Sequence, residues 1–124
     1  AIIAQGFVMK RSVFSSCIEI HPMSEWNILM SEVNKLNRFI KKNNDFIRLF
    51  TAGVKMLETD SNARLQIPKD VISFANIAKN VVISCSVNMI EVWDKNQYEQ
   101  VLKDATSDFA DLAEEVMGNI EKED

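Results

Sequence analysis

The chain is poor in the residues from which dedicated chemical sites are built. Its 124 residues include three glycines, two cysteines and one histidine. Three scattered glycines make no glycine-rich loop, so nothing supports the cradling of a nucleotide phosphate. His21 precedes Pro22 and has no Cys, Asp or Ser neighbour at metal or triad spacing, which argues against a metal centre or an activated nucleophile. Cys17 and Cys85 are too few for a disulfide framework or a zinc cluster, and their apolar, strand-like surroundings predict two buried thiols. No apolar run approaches the roughly 20 residues of a membrane span. Ala1-Ile2-Ile3-Ala4 is too short for a signal-peptide core and no basic segment precedes it, so the cytosol is the default compartment.

Charge sets a further bound. Fourteen Lys and Arg stand against eighteen Asp and Glu, a net of −4. That average argues mildly against nucleic acid as a partner. A local basic patch, and not the mean, is what binds phosphate. Hydrophobic residues make up 47% of the chain, ample for a core in one domain or in two small intertwined halves.

What the chain does have is an internal repeat. Ala1-Ile2-Ile3-Ala4-Gln5-Gly6-Phe7-Val8 reads like Ala75-Asn76-Ile77-Ala78-Lys79-Asn80-Val81-Val82, 74 residues on. Ile18-Glu19-Ile20 matches Ile90-Glu91-Val92 at an offset of 72, and Trp26 falls on Tyr98. The second copy is preceded by Val54–Phe74, and nothing precedes Ala1, so the first copy is expected to lack its opening hairpin.

Periodicity and punctuation predict the elements. Phe7–Val13 and Ser16–Ile20 are β-rich, with a turn at Ser15-Ser16. Trp26, Leu29, Met30, Val33, Leu36 and Ile40 recur at helical spacing, predicting one helix over residues 24–42 with Ser24 as N-cap. Asn43-Asn44 should break it, and Asp45 should open a short helix ended by Gly53. Val54–Thr59 and Arg64–Ile67 read as a hairpin about Asp60-Ser61-Asn62-Ala63, and Lys69–Ala75 as a short helix. Val81–Ser86 and Met89–Trp93 are strands joined at Val87-Asn88. Asp94 caps a helix through Leu102, and Thr106 or Ser107 caps a last one that Gly118 ends. Asn119–Asp124 reads as a disordered charged tail. Strands this short cannot bury their faces alone, so the two copies should share a barrel-like core about a pseudo-twofold axis.

Asp60-Ser61-Asn62-Ala63-Arg64-Leu65-Gln66-Ile67-Pro68, a short helix, and then Met89-Ile90-Glu91-Val92-Trp93-Asp94 resemble the MraZ family of bacterial transcriptional regulators. That family is built from two SpoVT-AbrB-like modules with an Asp-x-x-Gly-Arg-x-x-Ile-Pro signature in each. Cys17-Ile18-Glu19-Ile20-His21-Pro22 with Trp26 looks like the corresponding stretch of the first half, and Phe109–Met117 like the C-terminal helix. Ala63 stands where the family has glycine, which would strain a turn that needs positive φ.

The resemblance implies an α+β fold of tandem swapped-hairpin modules. Residues 1–53 would be a truncated first module with its helical connector, residues 54–105 the second module, and residues 106–124 a C-terminal helix and tail. It implies a non-enzymatic, sequence-specific repressor of the division and cell-wall gene cluster promoter, working as a homo-oligomeric ring in the cytoplasm and nucleoid. No cofactor, membrane or small-molecule ligand is implied. Arg64 would contact DNA with Asp60 orienting it, since a locked guanidinium fork loses less entropy on meeting phosphate or a guanine edge. Lys55 and Lys69 flank the hairpin as candidate phosphate contacts, while Lys10-Arg11 reads as a solvated strand end.

Two other classes stay open at this level. The same apolar helices would suit an oligomeric scaffold that binds no DNA. Glu19 and Glu91, at equivalent positions, would suit a small hydrolase, although duplication explains them more simply, with structural hydrogen bonds or ion pairs expected between the copies.

Overall fold

The computed structural model describes residues 6–86, 88–106 and 108–118. Strands β1 (Phe7–Arg11) and β2 (Ile18–Pro22) lead into helix α1 (Met23–Val33). Helix α2 (Lys41–Thr51), strand β3 (Lys55–Leu57) and helix α3 (Lys69–Phe74) follow. Strands β4 (Val81–Cys85) and β5 (Ile90–Asp94) precede helices α4 (Lys95–Thr106) and α5 (Phe109–Gly118). The fold is α+β. It divides into two units, one reaching to Asp94 and one starting at Lys95. The second unit holds α4 and α5, and on α5 Phe109, Leu112 and Val116 form an exposed apolar stripe. Ser107 and the predicted tail lie outside the described residues, as does Val87 of the β4–β5 turn, which Ser86 and Met89 close with a 2.9 Å backbone bond.

The first unit is organised by one antiparallel sheet in the order β3-β1-β2-β5-β4. Its register carries the repeat. Phe7 pairs with Pro22 in the first hairpin and Val81 with Asp94 in the second, the same pair at the two sequence offsets. At the centre Ile18 faces Val92, Glu19 faces Glu91 and Ile20 faces Ile90. A local twofold axis therefore passes between the two glutamates.

Alternation then gives the sheet two different faces. One face presents Met9, Ile18, Ile20 and Val92, which pack with Val71 and Ala75 from the α3 segment to form the apolar core. The other presents Val8, Lys10, Glu19, His21, Glu91 and Trp93, and Trp26 of α1 and Phe50 of α2 pack over part of it. Buried polar groups on that face bond one another, as a low-dielectric interior demands.

Several predicted elements are corrected. The helix over residues 24–42 stops at Val33, although the apolar spacing runs on. The reason is local competition from asparagine. Asn37 Oδ1 accepts the Phe39 N–H at 3.0 Å, and the Asn43 and Asn44 amides donate back to the Asn37 and Arg38 carbonyls. The two asparagines expected to break a helix therefore sit inside α2 and fasten the turn ahead of it. The predicted strand Arg64–Ile67 is irregular and belongs to no sheet, because no neighbouring strand pairs with it among the described residues. The helix after β5 runs to Thr106 and not Leu102. Cys17 is buried as expected, whereas Cys85 is exposed, since it lies on the edge strand β4 with Val81 and Ile83. Lys10 is no solvated strand end: it is 1% exposed, under the Phe50 ring.

Gly53 does end its helix as predicted, at φ 73°. A Cβ there would meet Arg11 Nε at 3.2 Å, so both conformation and space favour glycine.

Candidate nucleic-acid interface

The loop after β3 is built around one carboxylate. Asp60 Oδ1 accepts the N–H of Asn62 at 2.8 Å and of Arg64 at 3.0 Å. The Asp60 N–H donates to the Arg64 carbonyl at 2.8 Å, and the Ala63 N–H donates to the Asp60 carbonyl at 3.0 Å. The other carboxylate oxygen, Oδ2, lies 3.4 Å from Arg64 Nε. One side chain thus fixes both the backbone of the turn and the guanidinium that leaves it. Asp side chains suit this, because they bond backbone N–H groups two to four residues on.

The Arg64 side chain is 72% exposed, so its attachment is ordered while its outer edge meets solvent. Leu65 and Ile67 pack against the core cluster and anchor the segment below it. An always-charged planar fork on an anchored loop is the arrangement expected for phosphate or guanine recognition. Ala63 has φ 59°, the left-handed region that favours glycine, so the alanine is strained where the sequence predicted it.

The flanking lysines fall in a second group. Lys55 Nζ lies 3.5 Å from Asp70 Oδ2, and neither side chain is buried. Lys69 adjoins Asp70 as the exposed first residue of α3. Lys55 therefore carries a partially compensated charge, a contact the spacing of the sequence did not reveal.

The duplicated glutamates perform structural work. Glu19 Oε1 lies 3.0 Å from His21 Nε2 and 3.6 Å from Lys10 Nζ. Burial pushes the Glu19 carboxyl up, but the His21 hydrogen bond and the Lys10 and His21 charges outweigh it and hold it below the ordinary 4.5. Glu91 Oε1 accepts from Trp93 Nε1 at 3.2 Å. The Cys17 thiol lies 3.9 Å from Glu91 Oε2, and burial together with the Glu91 and Glu19 charges pushes it up to about 11. A thiol so held is a poor nucleophile at neutral pH. Among the described residues no group of three or more His, Cys, Asp or Glu is placed to hold a metal ion, and no helix is long and apolar enough to cross a membrane.

Comparison with known proteins adds an independent line. The family described as "MraZ protein, putative antitoxin-like" matches residues 50–120. The chain is 63% identical over 114 residues to a protein of Christiangramia forsetii named "Transcriptional regulator MraZ", covering 92% of this chain and 74% of that protein. It is 60% identical over 116 residues to one of the same name from Flavobacterium psychrophilum, covering 94% and 74%. A third of that name, from Bacteroides thetaiotaomicron, is 30% identical over 121 residues, covering 97% and 77%.

Proposed function

We infer function from a plain premise: this chain belongs to the MraZ family. MraZ is a family of transcriptional regulators and not of enzymes. We propose that the chain regulates transcription by binding promoter DNA directly, with Arg64 as the base- or phosphate-reading side chain and Asp60 as the group that positions it. The observation that carries this reading is the five-contact hold of Asp60 on its own turn and on Arg64. Preorganisation lowers the ordering cost of binding, and a guanidinium fork matches a guanine edge or phosphate oxygens. Lys55 and Lys69 would add phosphate contacts.

The finer parts of the proposal follow from the same family. The chain is read as two SpoVT-AbrB-like modules, residues 1–53 and 54–105, with residues 106–124 as a C-terminal extension. The matching registers of the β1–β2 and β4–β5 hairpins support that reading. So does the Arg64–Ile67 segment, which pairs with no strand among the described residues and suits a hairpin exchanged between modules. The regulator would repress the division and cell-wall cluster promoter in the cytoplasm and nucleoid, as a homo-oligomer. Exposed Phe39, Leu49 and Phe109 favour assembly, and repetition on tandem sites would offset an acidic net charge through effective concentration.

The test is a labelled-promoter shift across a salt series with Arg64→Ala. Loss of a bidentate contact is expected to weaken binding by about 1–3 kcal/mol per subunit, compounded over several subunits, with an unchanged far-ultraviolet spectrum. An Arg64→Ala protein that shifts promoter DNA like the unaltered chain would sink the site. A scaffold without DNA binding is the second reading, favoured by the apolar stripe of α5. It predicts no shift even from the unaltered chain at low salt.

A further inference from the structure

One exposed aromatic and one open groove in the first unit have complementary chemistry. Phe39 is fully exposed, at the turn between α1 and α2. The turn that carries it is fastened by its own side chains. Asn37 Oδ1 takes the Phe39 N–H, and the side-chain amides of Asn43 and Asn44 hold the Asn37 and Arg38 carbonyls. Exposed Arg38, Lys41 and Lys42 flank the ring in sequence. Lys41 is engaged with Asp45 at 2.8 Å, and Arg38 donates to the neutral Asn34 Oδ1. The Arg38 and Lys42 charges are thus left uncompensated by a carboxylate among the described residues. The turn is a preorganised apolar tip in a basic collar.

The groove has the opposite character. It encloses about 350 Å³ between the β1–β2 loop and α1, and Phe50 of α2 and the β4–β5 turn also line it. Val13, Phe14, Ile28 and Leu29 give it apolar walls, and Glu25 and Glu32 stand on the same face of α1, seven residues apart. Phe14 is 95% exposed and Ile28 61%. The carboxylate at its floor, Glu19, is already engaged by His21 and Lys10, so the floor asks for no further cation. Among the described residues no Lys or Arg lines the groove. Lys35 Nζ does lie 3.0 Å from Glu32 Oε1, both side chains being exposed, so Glu25 is the groove carboxylate of α1 without such a pair among the described residues.

We propose that the groove of one copy receives the Phe39 turn of a second copy of this chain, the aromatic ring filling the cavity and the Arg38–Lys42 collar meeting Glu25 and Glu32. The proposal rests on the assembly reading above and adds the contact that would produce it. An aromatic anchor in a pocket, ringed by opposite charges, is the common form of an interface hot spot. The occupant is a second copy because the complementary tip is carried by the chain itself. Each copy carries one tip and one groove, two different surfaces in one contact, and such a head-to-tail contact can repeat from copy to copy and close a ring.

Three variants, sedimented at matched concentrations, test it. Phe39→Asp is expected to raise the concentration needed for assembly about ten- to a hundredfold, the effect of losing one buried aromatic. The groove-reversed variant Glu25→Lys/Glu32→Lys and the tip-reversed variant Arg38→Glu/Lys42→Glu should each fail to assemble alone. Mixed one to one they should assemble again, since each tip then meets an oppositely charged groove. Unfolded variants could not pass that mixing test. If the unaltered chain assembles and Phe39→Asp assembles equally well, or if the mixture stays as small as its parts, this interface is wrong and the assembly reading survives. If the unaltered chain sediments only as a 14.1 kDa species at micromolar concentration, both fall.

Discussion

Glu19 and Glu91 face one another directly across the β2–β5 pair, and each bonds a ring nitrogen two residues further along its own strand. In the first copy that ring is His21, at 3.0 Å, and in the second it is Trp93, at 3.2 Å. Like charges directly opposite in a sheet are destabilising unless each finds compensation. Here each carboxylate is occupied within its own copy, and Lys10 adds a buried positive charge on the Glu19 side. The repeat has kept the hydrogen-bond geometry while exchanging imidazole for indole. A pair of carboxylates that might have been read as acid and base is instead the polar centre of a pseudo-twofold sheet.

This arrangement predicts an acid-sensitive fold. The Glu19 carboxyl is depressed in the folded chain, so its contribution is fully present above the unfolded value of 4.5. It is lost as pH falls through the lower folded value. Glu19→Gln should flatten the dependence of unfolding free energy on pH below about 4.5. Glu19→Ala should also cost about 3 kcal/mol at neutral pH, because Lys10 is left buried without its carboxylate. Urea titrations at stepped pH would check both, and curves parallel to those of the unaltered chain would contradict the assignment.

The two thiols should behave differently. Cys17 is buried, with its pKa at about 11, leaving about a thousandth as thiolate at pH 8. Cys85 is exposed on β4. Iodoacetamide at pH 8 is expected to label Cys85 alone in the folded chain and both residues in urea. Native labelling that persists in a Cys85→Ser variant would show that Cys17 is accessible.

Relieving the strained turn should stabilise the chain. Ala63 at φ 59° carries a left-handed penalty that glycine lacks, partly offset by the greater chain entropy of glycine when unfolded. Ala63→Gly should raise the unfolding free energy by about 0.5–1 kcal/mol, read as a higher denaturation midpoint at constant slope. A lower midpoint would mean that the methyl group makes a compensating contact.

How much of this was legible in the sequence depended on whether the signal was local. The repeat offsets put Glu19 and Glu91 at equivalent positions, and the register that sets them opposite one another came from the structure. The Asp60-to-Arg64 turn was legible because Asp and Asn side chains bond their own backbone, although the strand expected to return from it at Arg64–Ile67 did not form. The end of α1 was not, because the apolar spacing at Leu36 and Ile40 mimics a continuing helix while Asn37, Asn43 and Asn44 divert the backbone. The burial of Lys10 and exposure of Cys85 were illegible for another reason. Which strand lies at the edge and which face is covered are decided by tertiary pairing, not by a residue's neighbours in sequence.

The lysines beside the Asp60–Arg64 loop give the last prediction. Lys55 is held 3.5 Å from Asp70, whereas Lys69 stands exposed next to it. If the start of α3 lies along the DNA path, Lys69→Ala should weaken promoter binding and make the slope of log affinity against log salt shallower by about 0.9, the effect of one phosphate contact. Asp70→Asn should act in the opposite direction. It removes a negative charge from beside the phosphates and releases Lys55, so affinity should rise and the slope should steepen by up to about 0.9. Opposite changes in slope from two adjacent residues cannot be produced by general destabilisation, which lowers affinity in both variants. Equal slopes for Lys69→Ala, Asp70→Asn and the unaltered chain on one promoter fragment would place α3 away from the DNA. Recognition would then rest on the Asp60–Arg64 loop alone.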